Sequence, residues 1–441
     1  MAFTKIHSFD GTEVYESDVQ RPEKYSQLLS AITNSTRCIA RGAGLSYCAA
    51  SGGNNLVSID LTRFNRILAL DEASRLVKVE AGISVGILLQ FLIPKGWYFP
   101  VLPGYPTITI GGCIANNIHG KSQFNAGNFG NFIAELTLFH PDHGELTCSA
   151  KENNELFLLT IGGLGLTGII LDVTLIIEPL KGNSIEKSKV KCQNLFEALE
   201  IMKDQKDQYE YVYSWNNLNL SSKKFGEGFV YLEKFCNNVK SEIFTRYSDT
   251  ITSENRQSLK LGMLNSFTIP IMCAVYYNQD RISKSLSVSG LEKSTFPIYG
   301  KEIYFRLFGS SGLREYQLII PNDNAERFIS ELAKLKKESK VPIALGSLKI
   351  FQGTNRHLNF CLDGVCLAID IPNRPRYLNF FSVLDSLVMK HNGIANLAKD
   401  SRLSAEVVSK MYSGYHDFKN GLNRFDPVGR FTSSLRERIG V

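Results

Sequence analysis

Three segments concentrate the residues able to hold a phosphorylated ligand: "RGAGLSY" (Arg41–Tyr47), "PGYPTITIGGCIANNIHGK" (Pro103–Lys121) and "GGLGLTG" (Gly162–Gly168). A chain without Cβ atoms can approach a diphosphate closely, aim successive N–H groups at it and take positive φ where the loop must turn. All three are candidate cradles. Gly163, Gly165 and Gly168 also satisfy G-x-G-x-x-G, the spacing that holds a nicotinamide dinucleotide when it leaves a strand and opens a helix. Here "NELFLLT" before it has helical spacing and "GIILDVTL" after it reads as a strand. The order is reversed, so a dinucleotide-binding Rossmann unit is not expected. No G-x-x-x-x-G-K-[ST] or H-E-x-x-H occurs, and His119 has no serine and carboxylate partners nearby, which leaves hydrolase and kinase chemistry without support.

These segments need a scaffold, and 441 residues with 44% hydrophobic and 21% charged side chains are enough to bury one. Up to about Leu180 the chain reads as short strands ("STRCIAR", "LVSIDL", "LVKVEAG") with an amphipathic helix, "SVGILLQFLIPKG". A second unit starts at the Lys-rich "KGNSIEKSKVK" and contains the strands "EYVYSWNNL", "GFVYLEKF", "EYQLIIP" and "GVCLAIDIP", with helices such as "NAERFISELAKLKKES" between them. The expected class is α+β. "LNSFTIPIMCAVYY" (Leu264–Tyr277) reads as a buried strand that is too short to span a bilayer but able to touch one, and the polar "TRYSDTITSENRQSLKLG" (Thr245–Gly262) as a mobile loop. Lys+Arg 49 against Asp+Glu 43, scattered along the chain, gives +6 and no nucleic-acid partner. Nine cysteines without a C-x-x-C pair suggest neither a disulfide framework nor a metal site. With no signal-peptide pattern in "MAFTKIHSFDG", the expected location is the cytoplasm.

"RGAGLSY", "LVSIDLTRFNRI", "VKVEAGISVGIL", "FPVLPGYPTITIGGCIANNIHGKSQFNAGNFGNFI" and "ELFLLTIGGLGLTGIILDVTLIIEP" together resemble the FAD domain of vanillyl-alcohol-oxidase-type (PCMH-type) flavoproteins. Within these the chain is most similar to the decaprenylphosphoryl-ribose 2-oxidase family, and "NLAKDSR" (Asn396–Arg402) and "RFDPVGRFTSSLRERIG" extend the match. The resemblance implies a two-subdomain FAD-binding domain over 1–181 and 394–441, and between them, over 182–393, a substrate domain with an antiparallel sheet covered by helices. The implied FAD contacts are Arg41, Gly42, Ala43, Gly44, Leu45, Ser46 and Tyr47 in the first segment. In the second they are Gly104, Thr109, Ile110, Gly111, Gly112, Ala115, Asn116, Asn117, Ile118, His119 and Gly120, with Ile170 and Asn396 beyond it. Where many relatives carry the histidine that bonds the flavin, this chain has Leu45, so FAD is expected to be noncovalent.

Lys399 matches the family's active-site lysine, able to stabilise an alkoxide or accept its proton, and Tyr47 and His119 are the other catalytic candidates. Gln317 and Lys349, on strands similar to those of the family's substrate floor, are implied substrate contacts together with Lys399. The implied reaction is oxidation of a secondary hydroxyl on a polyprenyl-phosphate-linked sugar to a keto sugar, the first half of an epimerisation in cell-envelope glycan synthesis. An NAD(P)H-dependent short-chain reductase would complete it, and the protein would sit peripherally at the inner face of the membrane. The alternatives are an alditol or aldonolactone oxidase, favoured by flavin reduction with free polyols, and a catalytically idle FAD-binding scaffold, favoured by a Lys399 remote from the ring. Three departures alter the implied substrate site: a family cysteine falls at Ala368, with Cys366 on the same strand face; a family tyrosine is Asn396; and a family glutamine is Glu315.

Overall fold

The computed structural model describes residues 3–237 and 262–441. Short strands form a first sheet from β1 (Phe3–His7), β2 (Val14–Gln20), β3 (Cys38–Arg41) and β4 (Val57–Asp60), in the order β1-β2-β4-β3, with β4 parallel to both neighbours. The helix Tyr25–Thr33 packs on it through Leu28 and Ile32, which are fully buried with Ile59. Next come β5 (Ile67–Asp71), β6 (Leu76–Glu80), β7 (Trp97–Tyr98), β8 (Ile133–His140), β9 (Gly144–Ser149), β10 (Ile169–Ile176) and β11 (Glu178–Pro179). β7 pairs with β11, and the other five make an antiparallel sheet in the order β5-β6-β10-β8-β9. The expected amphipathic helix is Val85–Leu92. Its cap Ser84 accepts from the Ile87 amide, and Pro94 with the left-handed Gly96 stops the turn that follows it.

The remaining strands are β12 (Ser184–Cys192), β13 (Tyr211–Asn217), β14 (Glu227–Cys236), β15 (Leu286–Gly290), β16 (Leu313–Pro321), β17 (Leu345–Phe351), β18 (Gly364–Pro372) and β19 (Ile394–Ala395). They build one eight-stranded sheet, β15-β12-β14-β13-β17-β18-β16-β19, antiparallel at every pairing. Because strand side chains alternate, Tyr316, Leu318, Ile320, Leu348, Ile350, Leu367, Ile369 and Ile371 enter one core with the helices Leu195–Gln205, Asn322–Ser339 and Leu378–Lys390. The opposite face carries Glu315, Gln317, Lys349, Ala368, Asp370, Tyr213 and Glu233. This is the face that meets the N-terminal sheets, through Gln317 on His119 and Glu233 on Lys121. After β19 the chain returns to the first sheet, where the Cys38 amide donates to Arg430 and the Thr432 amide to Cys38, both at 2.9 Å.

Leu264–Tyr277 is not a strand. It enters the helix Thr268–Ile282, because Asn265 Oδ1 accepts from the amides of Phe267 (2.9 Å) and Thr268 (3.1 Å) and Pro270 sits in the first turn, where no helical N–H is needed. The helix buries Ile269 and Cys273 and exposes Ile271, Val275 and Ile282. Of the expected loop Thr245–Gly262, all but Gly262 lies outside the described residues.

Candidate active site

The first glycine segment leaves the end of β3 as a half-buried loop whose amides from Gly42 to Ser46 find no acceptor among the described residues. Both ends of it are fixed. The Arg41 guanidinium donates to Ser51 Oγ at 3.1 Å, Ser46 O accepts from the Phe9 amide at 2.9 Å, and the Tyr47 amide donates to Ala398 O at 3.0 Å. Leu45 packs in an apolar cluster with Phe9 and Tyr47. Gly44 has φ +66°, and a Cβ on Gly42 would overlap Thr109 Oγ1. Thr109 caps the helix Ile110–Ala115, its Oγ1 accepting from the Gly112 amide at 3.3 Å. The loop and the second segment are therefore in contact.

The glycines of the other segments serve packing as well. A Cβ on Gly111 would come within 3.1 Å of Ala81 O, and one on Gly120 within 2.8 Å of Leu102 O, whereas at Gly104 no atom lies within 4 Å. In Gly162–Gly168 the Gly162 amide donates to Ile114 O at 2.9 Å and the Leu164 amide to Ala115 O at 2.8 Å, so this part of the segment buttresses the helix. Ile110 and Ile170 are buried in the second core, Asn117 Oδ1 accepts from the Gly130 amide at 2.8 Å, and Ile118 O accepts from the Phe129 amide at 2.8 Å. Two buried atoms here, Asn116 Oδ1 and Thr107 Oγ1, have no hydrogen-bond partner among the described residues. A run of open amides for a diphosphate and unpaired polar atoms for a polar ring or polyol suit FAD; residues 41–47, Thr107, Thr109 and Asn116 would hold it.

The structure gathers Tyr47, His119, Gln317, Lys349, Asn396 and Lys399 around the polar face of the large sheet. The Asn396 amide donates to Gln317 O at 2.8 Å and its Nδ2 to Gln317 Oε1 at 2.8 Å. Gln317 Nε2 then lies 3.2 Å from His119 Nε2, so the imidazole accepts there and carries its proton on Nδ1. His119 packs on Phe351 and Phe360. Burial first, then the charges of Lys349 and Lys399, push its pKa well below the ordinary value and keep it neutral. With Nε2 engaged, His119 is placed to position Gln317. Lys399 Nζ lies 3.9 Å from the Tyr47 ring centroid and 3.0 Å from Glu315. Lys349 has no hydrogen-bond or ion-pair partner among the described residues, and burial lowers its pKa.

The sequence reading did not assign Asp370 or Tyr304, and noted Glu315 only as a departure. Asp370 stands directly opposite Glu315 in the β16–β18 register; its Oδ2 accepts from Tyr304 Oη at 2.7 Å, and its Oδ1 is buried with no partner among the described residues. Burial and then the Glu315 charge raise the Asp370 pKa to about 8. The folded protein thus keeps a proton that the unfolded chain loses near the ordinary carboxylate pKa, so this group makes stability fall as pH rises from about 4 to about 8. Asp370→Asn, which mimics the protonated acid, is expected to stabilise the fold at pH 8 by on the order of 1–2 kcal/mol, read as a higher melting temperature, with the gain shrinking toward pH 5. Thermal melts across that range check it, and a pH-independent difference would refute the assignment.

Residues 19–149 match the family model described as an FAD binding domain. The chain belongs to the PCMH-type FAD-binding oxidoreductases, and it is an FAD-dependent enzyme. It is 30% identical over 414 residues to the decaprenylphosphoryl-beta-D-ribose oxidase of Mycolicibacterium smegmatis, which covers 91% of this chain and 88% of that protein. The L-gulonolactone oxidase of Mus musculus is 22% identical over 403 residues, 86% of this chain and 84% of that protein. A Delta(24)-sterol reductase homolog of Caenorhabditis elegans is 29% identical over 163 residues, 35% of this chain and 31% of that protein.

Proposed function

We propose that the protein oxidises a secondary hydroxyl of a polyprenyl-phosphate-linked sugar to a keto sugar, as the first half of an epimerisation that a separate NAD(P)H-dependent reductase completes. The observation that carries this reading is the convergence of Lys399, Tyr47, Gln317, Asn396 and Lys349 on one polar face beside the glycine loop. When bound, FAD supplies the hydride acceptor. Lys399 Nζ, fixed between the Tyr47 ring and Glu315, holds the substrate hydroxyl and stabilises negative charge growing on its oxygen. The Gln317 and Asn396 amides orient the sugar. The Lys349 ammonium, a point charge without a partner among the described residues, takes the phosphate. The FAD domain comprises 1–181 and 394–441 and the substrate domain 182–393.

No helix among the described residues is long and apolar enough to cross a membrane. The exposed apolar row Phe267, Ile271, Val275 and Ile282 supports peripheral contact with a membrane that holds the lipid substrate. Leu45 offers no nucleophile to the flavin, so acid or heat denaturation should release all the yellow colour into the supernatant; flavin that stays with the precipitate would contradict noncovalent binding. Anaerobic mixing with decaprenylphosphoryl-β-D-ribose, other polyprenyl-phosphate sugars, free alditols and L-gulono-1,4-lactone tests the substrate class. Bleaching of the flavin by the lipid-linked sugars alone is expected. Bleaching by alditols or lactones alone would make the protein an oxidase of those compounds.

A further inference from the structure

We propose that Glu315 is the terminal acceptor of the substrate hydroxyl proton, which reaches it through Lys399 Nζ. The proposal rests on the reading that Lys399 meets that hydroxyl. Lys399 Nζ is 3.0 Å from Glu315 Oε1 and 3.0 Å from Oε2. The lysine side chain is 28% exposed and the glutamate 11%, so the ammonium stands between the carboxylate and the open side of the site. An ammonium has no lone pair, and Lys399 can take a proton only as it gives one up; the carboxylate on its inner side is the group in contact that can receive it.

The neighbouring groups do not compete. Those facing Glu315 are Lys399, Asp370, Lys349, Cys366 and Tyr304. Asp370 retains its own proton at neutral pH, and burial keeps the Cys366 thiol and the Tyr304 phenol protonated. His119 lies further along the face with Nε2 already accepting from Gln317. Two carboxyls side by side thus hold one negative charge between them, on the member paired with Lys399.

In the step, the hydroxyl O–H bond breaks and its proton moves to Nζ, while an Nζ proton moves to a Glu315 oxygen. The carbinol C–H bond breaks as well, and its hydrogen leaves with both electrons to the oxidised FAD of the established activity. The C–O bond becomes a carbonyl. The enzyme ends with an ammonium at Lys399, a carboxylic acid at Glu315 and two electrons on the cofactor.

The test is infrared difference spectroscopy of the anaerobic holoenzyme before and after reduction by decaprenylphosphoryl-β-D-ribose, with L-gulono-1,4-lactone in parallel. A protonated-carboxyl stretching band that shifts in D2O is expected in the wild type and absent in Glu315→Gln, whose flavin content is retained and whose reduction slows by roughly 10²-fold or more. Glu315→Asp should keep the band and reduce at an intermediate rate, which guards against a folding defect in the amide variant. A band that persists in Glu315→Gln, or equal reduction rates, overturns the proposal. Wild type reduced by the lactone and not by the lipid-linked sugar overturns the substrate reading alone, and the Glu315 band is then scored with the lactone. Reduction by neither overturns both.

Discussion

Lys399→Met slows flavin reduction by roughly 10²–10⁴-fold, the scale of a positioned acid–base group, while FAD stays bound. Methionine keeps most of the aliphatic stem and removes the charge that lies over the Tyr47 ring, so the loss reports the ammonium rather than its volume. The variant also strands the Glu315 carboxylate. Breaking a fully buried ion pair costs about 3–5 kcal/mol, and the cost is smaller here because solvent screens Lys399 in part. Lys399→Met with Glu315→Gln should therefore recover the lost stability without recovering the rate. Stopped-flow reduction and thermal melts on the two variants separate these effects. A wild-type reduction rate in Lys399→Met would make the lysine structural and move the chemistry to Tyr47.

Gly42→Val is expected to purify essentially without flavin. Its Cβ would overlap Thr109 Oγ1, and Thr109 is the cap that sets the start of the helix Ile110–Ala115. Overpacking alone costs about 1–3 kcal/mol, and the displaced amides of Gly42 to Ser46 are the donors assigned to the diphosphate. The ratio of visible to ultraviolet absorbance reads the flavin content directly. Gly104→Leu makes the complementary measurement, because a Cβ there meets no protein atom within 4 Å. Flavin loss without a change in the melting of the flavin-free protein assigns that space to the cofactor. A fully loaded Gly42→Val protein would remove the loop from the site.

How much of this is legible in the chain differs between elements. The helix Val85–Leu92 and the alternating strands β13, β14, β16 and β18 follow from hydrophobic period, caps and β-branched composition, all local properties. The helix Thr268–Ile282 was misread because an apolar run of that length has no decisive period; the Asn265 cap and Pro270 were the signals that could have settled it. The class α+β, the FAD requirement and the reversed order around Gly163–Gly168 were legible because each is carried by a continuous stretch.

The roles of the glycines were not, since a missing Cβ looks the same whether it yields to a ligand, as the open space at Gly104 allows, or to the Ala81 main chain, as at Gly111. The charge cluster was also out of reach. Glu315 and Asp370 are far apart in sequence and become neighbours only when β16 and β18 pair in one register. A shift of either strand by one residue would turn its carboxyl toward the opposite core and separate the two. Sequence by itself determined which side chains are available and which segments can bend around a cofactor, because these depend on residue type and near neighbours. Tertiary structure alone decided which carboxyl pairs with Lys399 and which keeps its proton, because burial and Coulomb interaction depend on distances that only the packed sheet sets.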